Sequence, residues 1–512
     1  MKTPNEILKK IFELDKFAVL VNNGEIFSAD GVNKYETPSS LIWLINPNEL
    51  IFDIKKFEKL DNLHNHVFEI KGMWACIIKD KMTGNITAIS SIHNEYPWYY
   101  TESNASCISN NIFLLSNTTG LKEIDVASFA SFLAIDCSVA GYTLVKDILK
   151  NFGGDIIITN NKIITLKKAD LRYWLGLDDS INDKEILLNK FLEVVNESVD
   201  SEKTQVSLTA GSDSRAVLAG VIKSQKSFKI MTGTASTVSQ RDIFIPEKIS
   251  KILNVEHIKV DASKKIGYSV QSMLEDVALI TGTEFIPTNW ILYHKEYIQG
   301  RDELKGVTRL LGYGGEVFKP RKDVSIAYPK KMSFINSIYT DTVMDRVNSL
   351  FTHYKNLSEI NAKALYHLRG KFQFWEAVNS RTYSRFCHIY NPLSDPEIYA
   401  HAFRYLGGVE NIQFHRLIYT VLPKKINKIP INVPKSLGYL YKFKRRYLKS
   451  NPNYDYYLTP AFLRKEINFD LLNKLISAKE IKKIIDSYEE RGVNAGVVHK
   501  MHALSLFYKL NN

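Results

Sequence analysis

Cysteine is scarce: Cys76, Cys107, Cys137 and Cys387 are scattered through 512 residues, and no C-x-x-C pair occurs. That spacing excludes a disulfide framework and a cysteine zinc site. Cys76 and Cys137 lie in apolar surroundings and read as buried thiols. Long apolar runs are missing too. None approaches the roughly 20 residues a membrane helix needs, so no membrane partner is expected. The segment Met1-Lys2-Thr3-Pro4-Asn5-Glu6 leads into a charged amphipathic stretch, not the apolar core of a secretory signal. The simple expectation is a cytoplasmic protein. No internal repeat or low-complexity tract stands out, and the Walker pattern G-x-x-x-x-G-K-[ST] is absent.

What is present is ordinary globular material, 45% hydrophobic and 24% charged. The length predicts two domains, or three small ones. The net charge of +12 raises the question of nucleic acid. The densest basic stretch, Tyr441-Lys442-Phe443-Lys444-Arg445-Arg446-Tyr447-Leu448-Lys449, interleaves aromatics that could stack bases. A solvated helical face explains the same residues, and positive charge equally suits a protein that handles ATP, pyrophosphate or an acidic substrate.

The first part reads as β-rich. Phe17–Val21, Trp74–Ile78 and Ile86–Ile89 are strand candidates, with Lys81–Asn85 a hairpin connection. Ile156–Thr159 and Ile163–Leu166 form another hairpin around Asn160-Asn161-Lys162. From about residue 180 the pattern changes. A helix capped at Asn182–Glu185 and ending near Val199 precedes strand Gln205–Leu208 and a helix to about Lys223. Strand Phe228–Gly233, helix Ile243–Leu253 and strand His257–Val260 follow. This alternation predicts a doubly wound parallel sheet, whose ligands bind beyond the carboxyl ends of its strands. Beyond about residue 330 the pattern is mostly helical.

The most informative segment is Val206–Arg215, V-S-L-T-A-G-S-D-S-R. It predicts a strand, a tight small-residue loop and a helix start. Such a loop closes around an anion, and the helix's first N–H groups point at it. Asp213 would repel a phosphate unless a cation sits between them, which a Mg²⁺–nucleotide supplies. The plain alternative is an aspartate that caps the helix.

On these residues the chain resembles the asparagine synthetase-like family. Thr209-Ala210-Gly211-Ser212-Asp213-Ser214 is similar to the S-G-G-x-D-S motif of its PP-loop ATP pyrophosphatase domain. Thr and Ala replace Ser and Gly. Leu310–Lys319, with Gly312, Gly314 and Gly315, resembles S-G-x-G-x-D-E, one residue short and with Glu316 alone for Asp-Glu. Tyr390–Glu397 is similar to the P-F-x-D segment. Gly72-Met73-Trp74-Ala75 and Pro97-Trp98-Tyr99-Tyr100 are similar to G-M-F-A and P-L-Y-Y of the glutaminase domain. The resemblance covers nearly the whole chain. It implies an Ntn-hydrolase-like β-sandwich with helices over residues 1–178. An adenine nucleotide α-hydrolase-like α/β sheet with a helical C-terminal region follows over 179–512. A glutaminase of this class uses a Cys directly after the initiator Met; Lys2 stands there. The first domain is therefore expected to be a degenerate shell, as in the similar β-lactam synthetases and lasso-peptide cyclases.

The resemblance further implies ATP and Mg²⁺. It puts Leu208, Thr209, Ala210, Gly211, Asp213, Ser214 and Gly233 on the nucleotide, and Asp213 and Glu316 on the metal. Arg215, Gly312, Gly314 and Lys319 fall on pyrophosphate. Arg215 pairing with a surface carboxylate, and Glu316 and Lys319 as solvated groups, are the plain alternatives. Tyr313 occupies the place of the family's general base. A phenol ionises near pH about 10, so it needs a partner. Counting back from Pro392 nominates His388, and Glu376 is the other candidate. A packed tyrosine and a structural histidine are the ordinary explanation. A lysine that stabilises the acyl-adenylate is sought among Lys424, Lys425 and Lys428, with Lys428 favoured by spacing. Asp242 matches a substrate-proximal acid or a helix cap. The expected reaction is ATP-dependent, AMP-forming amide synthesis between a small-molecule or peptide carboxylate and an amine. Asparagine formation from external ammonia belongs to the same class, and a homo-oligomer is compatible with it. A PP-loop enzyme acting on RNA and a catalytically silent scaffold are the rival classes.

Overall fold

The computed structural model describes residues 4–47, 57, 67, 70–102, 107–160, 163–169, 184–199, 203–234, 240–261, 270–282, 304–318, 329–352, 365–406, 414–429, 459–491 and 495–512. The expected domain boundary at 178–179, Lys2, Lys319, the cap at Asn182 and the basic stretch at Tyr441–Lys449 lie outside these residues.

The N-terminal part runs α1 (Pro4–Leu14), β1 (Val19–Asn22), β2 (Glu25–Ser28), β3 (Val32–Glu36), β4 (Ser40–Ile45), β5 (Ala75–Asp80), β6 (Ile86–Ser90), β7 (Tyr99–Tyr100) and β8 (Cys107–Ser109). Then come α2 (Ile112–Thr119), α3 (Val126–Ile135), β9 (Leu149–Lys150), β10 (Ile156–Thr159) and β11 (Ile164–Lys167). Two antiparallel sheets result, in the orders β2-β1-β8-β7-β9 and β11-β10-β6-β5-β4-β3. Side chains alternate across a strand, so each sheet has two apolar faces to bury. Val19, Val21, Ala75, Ile77, Ala88, Ile108 and Ile157 share the core between the sheets. Leu20, Cys76 and Ile78 turn the other way and join the larger core with Phe113 of α2 and Phe129 of α3. Burial pushes the Cys76 thiol well above its ordinary value, so it is no nucleophile. All four cysteines are buried.

The second part alternates as expected: α4 (Lys184–Ser198), β12 (Thr204–Ser207), α5 (Ser212–Ser224), β13 (Lys229–Thr234), α6 (Gln240–Leu253), β14 (His257–Asp261), α7 (Val270–Thr281) and β15 (Thr308–Leu310). α8 (Ser337–Thr352), a π-helix (His367–Glu376), α9 (Ala377–Tyr383), β16 (His388–Tyr390), α10 (Pro396–Leu406), α11 (Phe414–Tyr419) and α12 (Lys424–Asn427) come next. The five strands pair in parallel in the order β14-β13-β12-β15-β16. The order grows outward in both directions from β12, so it reverses between β12 and β15. α4 and α5 pack closely, and a Cβ on Gly220 would lie 2.8 Å from Val195 Cγ2.

Finally α13 (Pro460–Glu466), α14 (Phe469–Asn473), α15 (Ala478–Arg491) and α16 (Ala495–Asn511) return to the first part. Phe507 of α16 meets Phe113 with ring centroids 5.1 Å apart, and Lys500 pairs with Asp136 at 2.9 Å. The two parts also share a buried ion cluster. Asp15 accepts from Arg381 at 3.1 Å and forms an ion pair with Arg385 at 2.7 Å. Burial would raise the Asp15 carboxyl, but the guanidinium charges of Arg385 and Arg381 outweigh it and hold it below the usual value. Among the described residues no helix is long and apolar enough to cross a membrane.

Candidate active site

In an open parallel sheet, ligands bind outside the carboxyl ends of the strands, where the order reverses. Here that point lies between β12 and β15. The loop after β12 (208–211) and the loop after β15 (311–315) meet there at close range. A Cβ on Gly312 would lie 2.6 Å from the Ser214 nitrogen and 2.9 Å from the Asp213 carbonyl carbon. A Cβ on Gly315 would lie 2.5 Å from Asp213 Cγ. Gly314 has φ +85°, and a Cβ there would lie 2.6 Å from Ser394 Cβ and Tyr399 Oη. These glycines are required sterically: the second loop is wedged between the start of α5 and the start of α10.

The first loop is held by its own side chains. Leu208 donates to the Met231 carbonyl at 2.9 Å, and its carbonyl accepts from Thr232 Oγ1 at 3.0 Å, next to Gly233 on β13. Thr209 N–H donates to Ser214 Oγ at 3.1 Å, and Gly211 N–H to Thr209 Oγ1 at 3.1 Å. Ala210 N–H donates to Asp242 Oδ1 at 2.8 Å. Asp242 of α6 therefore ties the loop to the neighbouring helix through Oδ1. Gly211 is the N-cap residue of α5 and provides no side-chain cap, so the positive end of the helix opens on the crevice. Asp213 sits in the first turn beyond the cap, which overturns the capping alternative. Its carboxylate accepts from, or pairs with, His415 Nε2 at 2.6 Å.

Tyr313 is half-buried on the second loop. Burial, and then the nearby Glu376 carboxylate, push its phenol well above the ordinary value. Glu376 is buried and its Oε2 accepts the Gly314 N–H at 2.7 Å. The expected Tyr313–His388 pair needs correction. His388 opens β16 opposite Thr308, the first residue of β15. It therefore lies at the amino edge of the sheet, while Tyr313 follows the carboxyl edge. The carboxylate near Tyr313 is Glu376, which the π-helix bonds to the adjacent Gly314 amide.

Arg215 also differs from expectation. It is buried on α5, and its Nη1 donates to the Ile429 carbonyl at 2.5 Å. It is one residue past Ser214 and faces the 414–429 segment rather than the crevice. Glu316 is the second residue of the turn Gly315–Phe318, next to Gly315, which makes the Asp213 contact. Lys428 is the C-cap residue that follows α12 and is exposed, as are Lys424 and Lys425. α12 packs on α6, the helix that carries Asp242.

Among the described residues no group of three or more His, Cys, Asp or Glu is arranged to hold a metal ion. Mg²⁺ on a nucleotide needs only one or two protein carboxylates, the rest being phosphate oxygens and water. Asp213, 19% exposed at its side chain and next to an uncapped helix start, fits that partial ligand role.

Sequence reasoning missed His415 and Tyr419. Tyr419 Oη donates to the Ser212 carbonyl at 2.8 Å, and burial raises its phenol. Phe414 of the same helix stacks on Phe318 with centroids 4.4 Å apart. α11 thus roofs both loops. An amphipathic helix of six residues some two hundred positions downstream carries no local mark of that role. No family model matches the chain, and no curated protein sequence matches it.

Proposed function

We propose that the protein is an ATP-dependent, AMP-forming amide ligase of the asparagine synthetase type. Its N-terminal two-sheet unit then corresponds to an Ntn-hydrolase-like shell, and its parallel sheet to an adenine nucleotide α-hydrolase. One observation carries this reading. Gly312 and Gly315 press the second loop against Asp213 and Ser214, at the point where the strand order reverses. Two loops so joined, one opening a helix without a cap and carrying a carboxylate, suit a metal-bound triphosphate.

In the first step a substrate carboxylate oxygen bonds to the α-phosphorus of ATP, the bond to the bridging oxygen breaks, and pyrophosphate leaves. The chain contributes charge management. The amides at the start of α5 would receive phosphate oxygens, Asp213 would hold Mg²⁺, and Glu316 is the candidate second ligand. A Mg²⁺ bound there would supply positive charge against the departing pyrophosphate. In the second step an amine nitrogen bonds to the acyl carbon, the carbon–oxygen bond to AMP breaks, and the nitrogen sheds a proton. Tyr313 receives it as its own proton passes to Glu376. Burial keeps the phenol protonated, so it acts by handing its own proton to the carboxylate in the same step in which it takes the proton of the amine. The amine is ammonia or a group on the substrate. All four cysteines are buried, so none of them supplies a thiolate for glutamine hydrolysis in this arrangement.

The test is ATP–pyrophosphate exchange with a panel of carboxylates, with Mg²⁺ present. Exchange dependent on one carboxylate class, and abolished by Asp213→Asn, supports the reading. Failure of the purified protein to retain nucleotide with Mg²⁺ present refutes it.

A further inference from the structure

The π-helix His367–Glu376 contacts the crevice on one side and the N-terminal sheets on the other. Towards the crevice, Glu376 holds the Gly314 amide near Tyr313, and His367 Nε2 lies 3.9 Å from Glu376 Oε1. Towards the sheets, Gln373 is fully buried and engaged three times. Its Oε1 accepts from Gly153 N–H at 3.1 Å, and its Nε2 donates to the Ile92 carbonyl at 2.6 Å. Its own carbonyl accepts from Lys150 Nζ at 3.1 Å. One helical turn earlier, Arg369 Nη2 donates to Asp155 Oδ1 at 2.6 Å, and its guanidinium lies 4.7 Å from the centre of the Phe152 ring.

The receiving surface is stiff. Gly153 passes so close to the 91–92 backbone that a Cβ would lie 2.6 Å from the Ser91 carbonyl oxygen. Lys150, Asp155, Gln373 and Glu376 are all nearly inaccessible to water. Buried polar groups of this kind tolerate little movement, because a partly satisfied network is costly. An i→i+5 helix is uncommon and occurs preferentially at functional sites. Its wider winding puts Arg369 and Gln373 on the sheets while Glu376 meets the loop.

We propose that the N-terminal unit is the mount of the ligase site: Gln373 and Arg369 are positioning residues that fix the π-helix and thereby set Glu376 against Gly314 and Tyr313. This deepens the ligase reading, on which it rests for the role of the Tyr313–Glu376 pair. It gives a domain with no exposed thiol a defined task.

The test uses the full chain with 3,5-difluorotyrosine at position 313, which brings the phenol's ionisation towards neutral pH, followed by ¹⁹F NMR. Glu376→Gln removes the neighbouring negative charge and lowers the midpoint. Gln373→Leu lowers it in the same direction, and so does Asp155→Asn, which removes the charge on Arg369's partner with no change of volume. Lys146→Ala, at the exposed pair with Glu123, leaves it in place. If Gln373→Leu and Asp155→Asn both titrate like the parent while Glu376→Gln shifts, the mount is refuted. If Glu376→Gln leaves the midpoint unmoved, it is refuted as well. With a carboxylate that supports exchange, Gln373→Leu retains exchange and slows amide formation by about tenfold, a fraction of what a general base supplies. The NMR arm needs no substrate. Absent exchange with every carboxylate therefore refutes the ligase reading and leaves the mount standing.

Discussion

Nε2 of His415 lies 2.6 Å from Oδ1 of Asp213 across 202 positions of chain. The Asp213 carboxylate is therefore held by the helical roof as well as by Ser212 of its own loop, whose Oγ lies 3.4 Å from the same oxygen. Outer groups that orient a metal-binding carboxylate typically contribute about 10–100-fold to affinity. His415→Ala is expected to weaken Mg²⁺-dependent ATP binding by that factor. Asp213→Asn, which removes the charge itself, is expected to weaken it by more than about 100-fold. Calorimetric titration with Mg²⁺–ATP checks both. Equal affinity in Asp213→Asn and the parent sinks the assignment.

Gly312→Ala is expected to damage the fold and the site together. The new Cβ would stand 2.6 Å from the Ser214 nitrogen, where backbone meets backbone and neither loop has room to retreat. Overpacking of this kind costs about 1–3 kcal/mol. Gly496→Ala, which meets nothing within 4 Å, serves as the control and should stay within about 0.5 kcal/mol. Urea unfolding monitored by circular dichroism measures both. A neutral Gly312→Ala contradicts the close approach of the loops.

Tyr313→Phe and Glu376→Gln are expected to separate the two chemical steps. Pyrophosphate exchange should persist, while amide formation falls by about 10²–10⁴, the usual contribution of a general base. His388→Ala, at the opposite edge of the sheet, should change neither. Quenched-flow measurement of pyrophosphate release and of amide product distinguishes the outcomes. Full amide formation by Tyr313→Phe removes the phenol from the mechanism.

Glu95 gives a pH signature of stability. It is fully buried, and that burial pushes its carboxyl up to about 7, against a smaller opposing effect of the Ser91 hydroxyl bonded to it at 2.6 Å. His93 and Asp395 line the same small cavity, at the seam between the two parts. An unfolded glutamate ionises near pH about 4.3. Between that value and about 7 the folded protein keeps a Glu95 proton that the unfolded chain has lost, so the contribution of Glu95 to stability falls as pH rises through this window and levels off above it, while buried His93, His499 and His502, held below their ordinary value, contribute a rise over its lower part. The Glu95 contribution is at most about 4 kcal/mol. Glu95→Gln should remove that falling contribution, so that stability at pH 8 relative to pH 5 is higher in the variant than in the parent. Urea unfolding at pH 5 and pH 8 reads the difference, and parallel curves for parent and variant contradict it.

Local pattern was enough for much of the molecule. β5, β6, β10 and β11 begin and end within a few residues of the runs Trp74–Ile78, Ile86–Ile89, Ile156–Thr159 and Ile163–Leu166, because alternating apolar residues with turn signals mark a strand wherever it is placed. The strand–loop–helix at Val206–Arg215 was legible for the same reason. The glycines of 312–315 signalled a tight second loop. β15 and β16 were not legible. Three residues each, Thr308–Leu310 and His388–Tyr390, carry no period of their own and become strands only beside β12.

Partnership was decided elsewhere. Counting residues back from Pro392 nominated His388, since spacing along a chain is all that a linear pattern supplies. Strand register then sent His388 to the amino edge, and a π-helix brought Glu376 to Gly314. Arg215 has the composition of an anion-binding side chain, yet helix phase turns it inward to the Ile429 carbonyl. His415 reaches Asp213 only because α11 folds across the start of α5. Period and turn chemistry act over a few neighbouring residues, so they are written locally. The meeting of charges depends on how distant elements pack, and packing is a property of the whole chain.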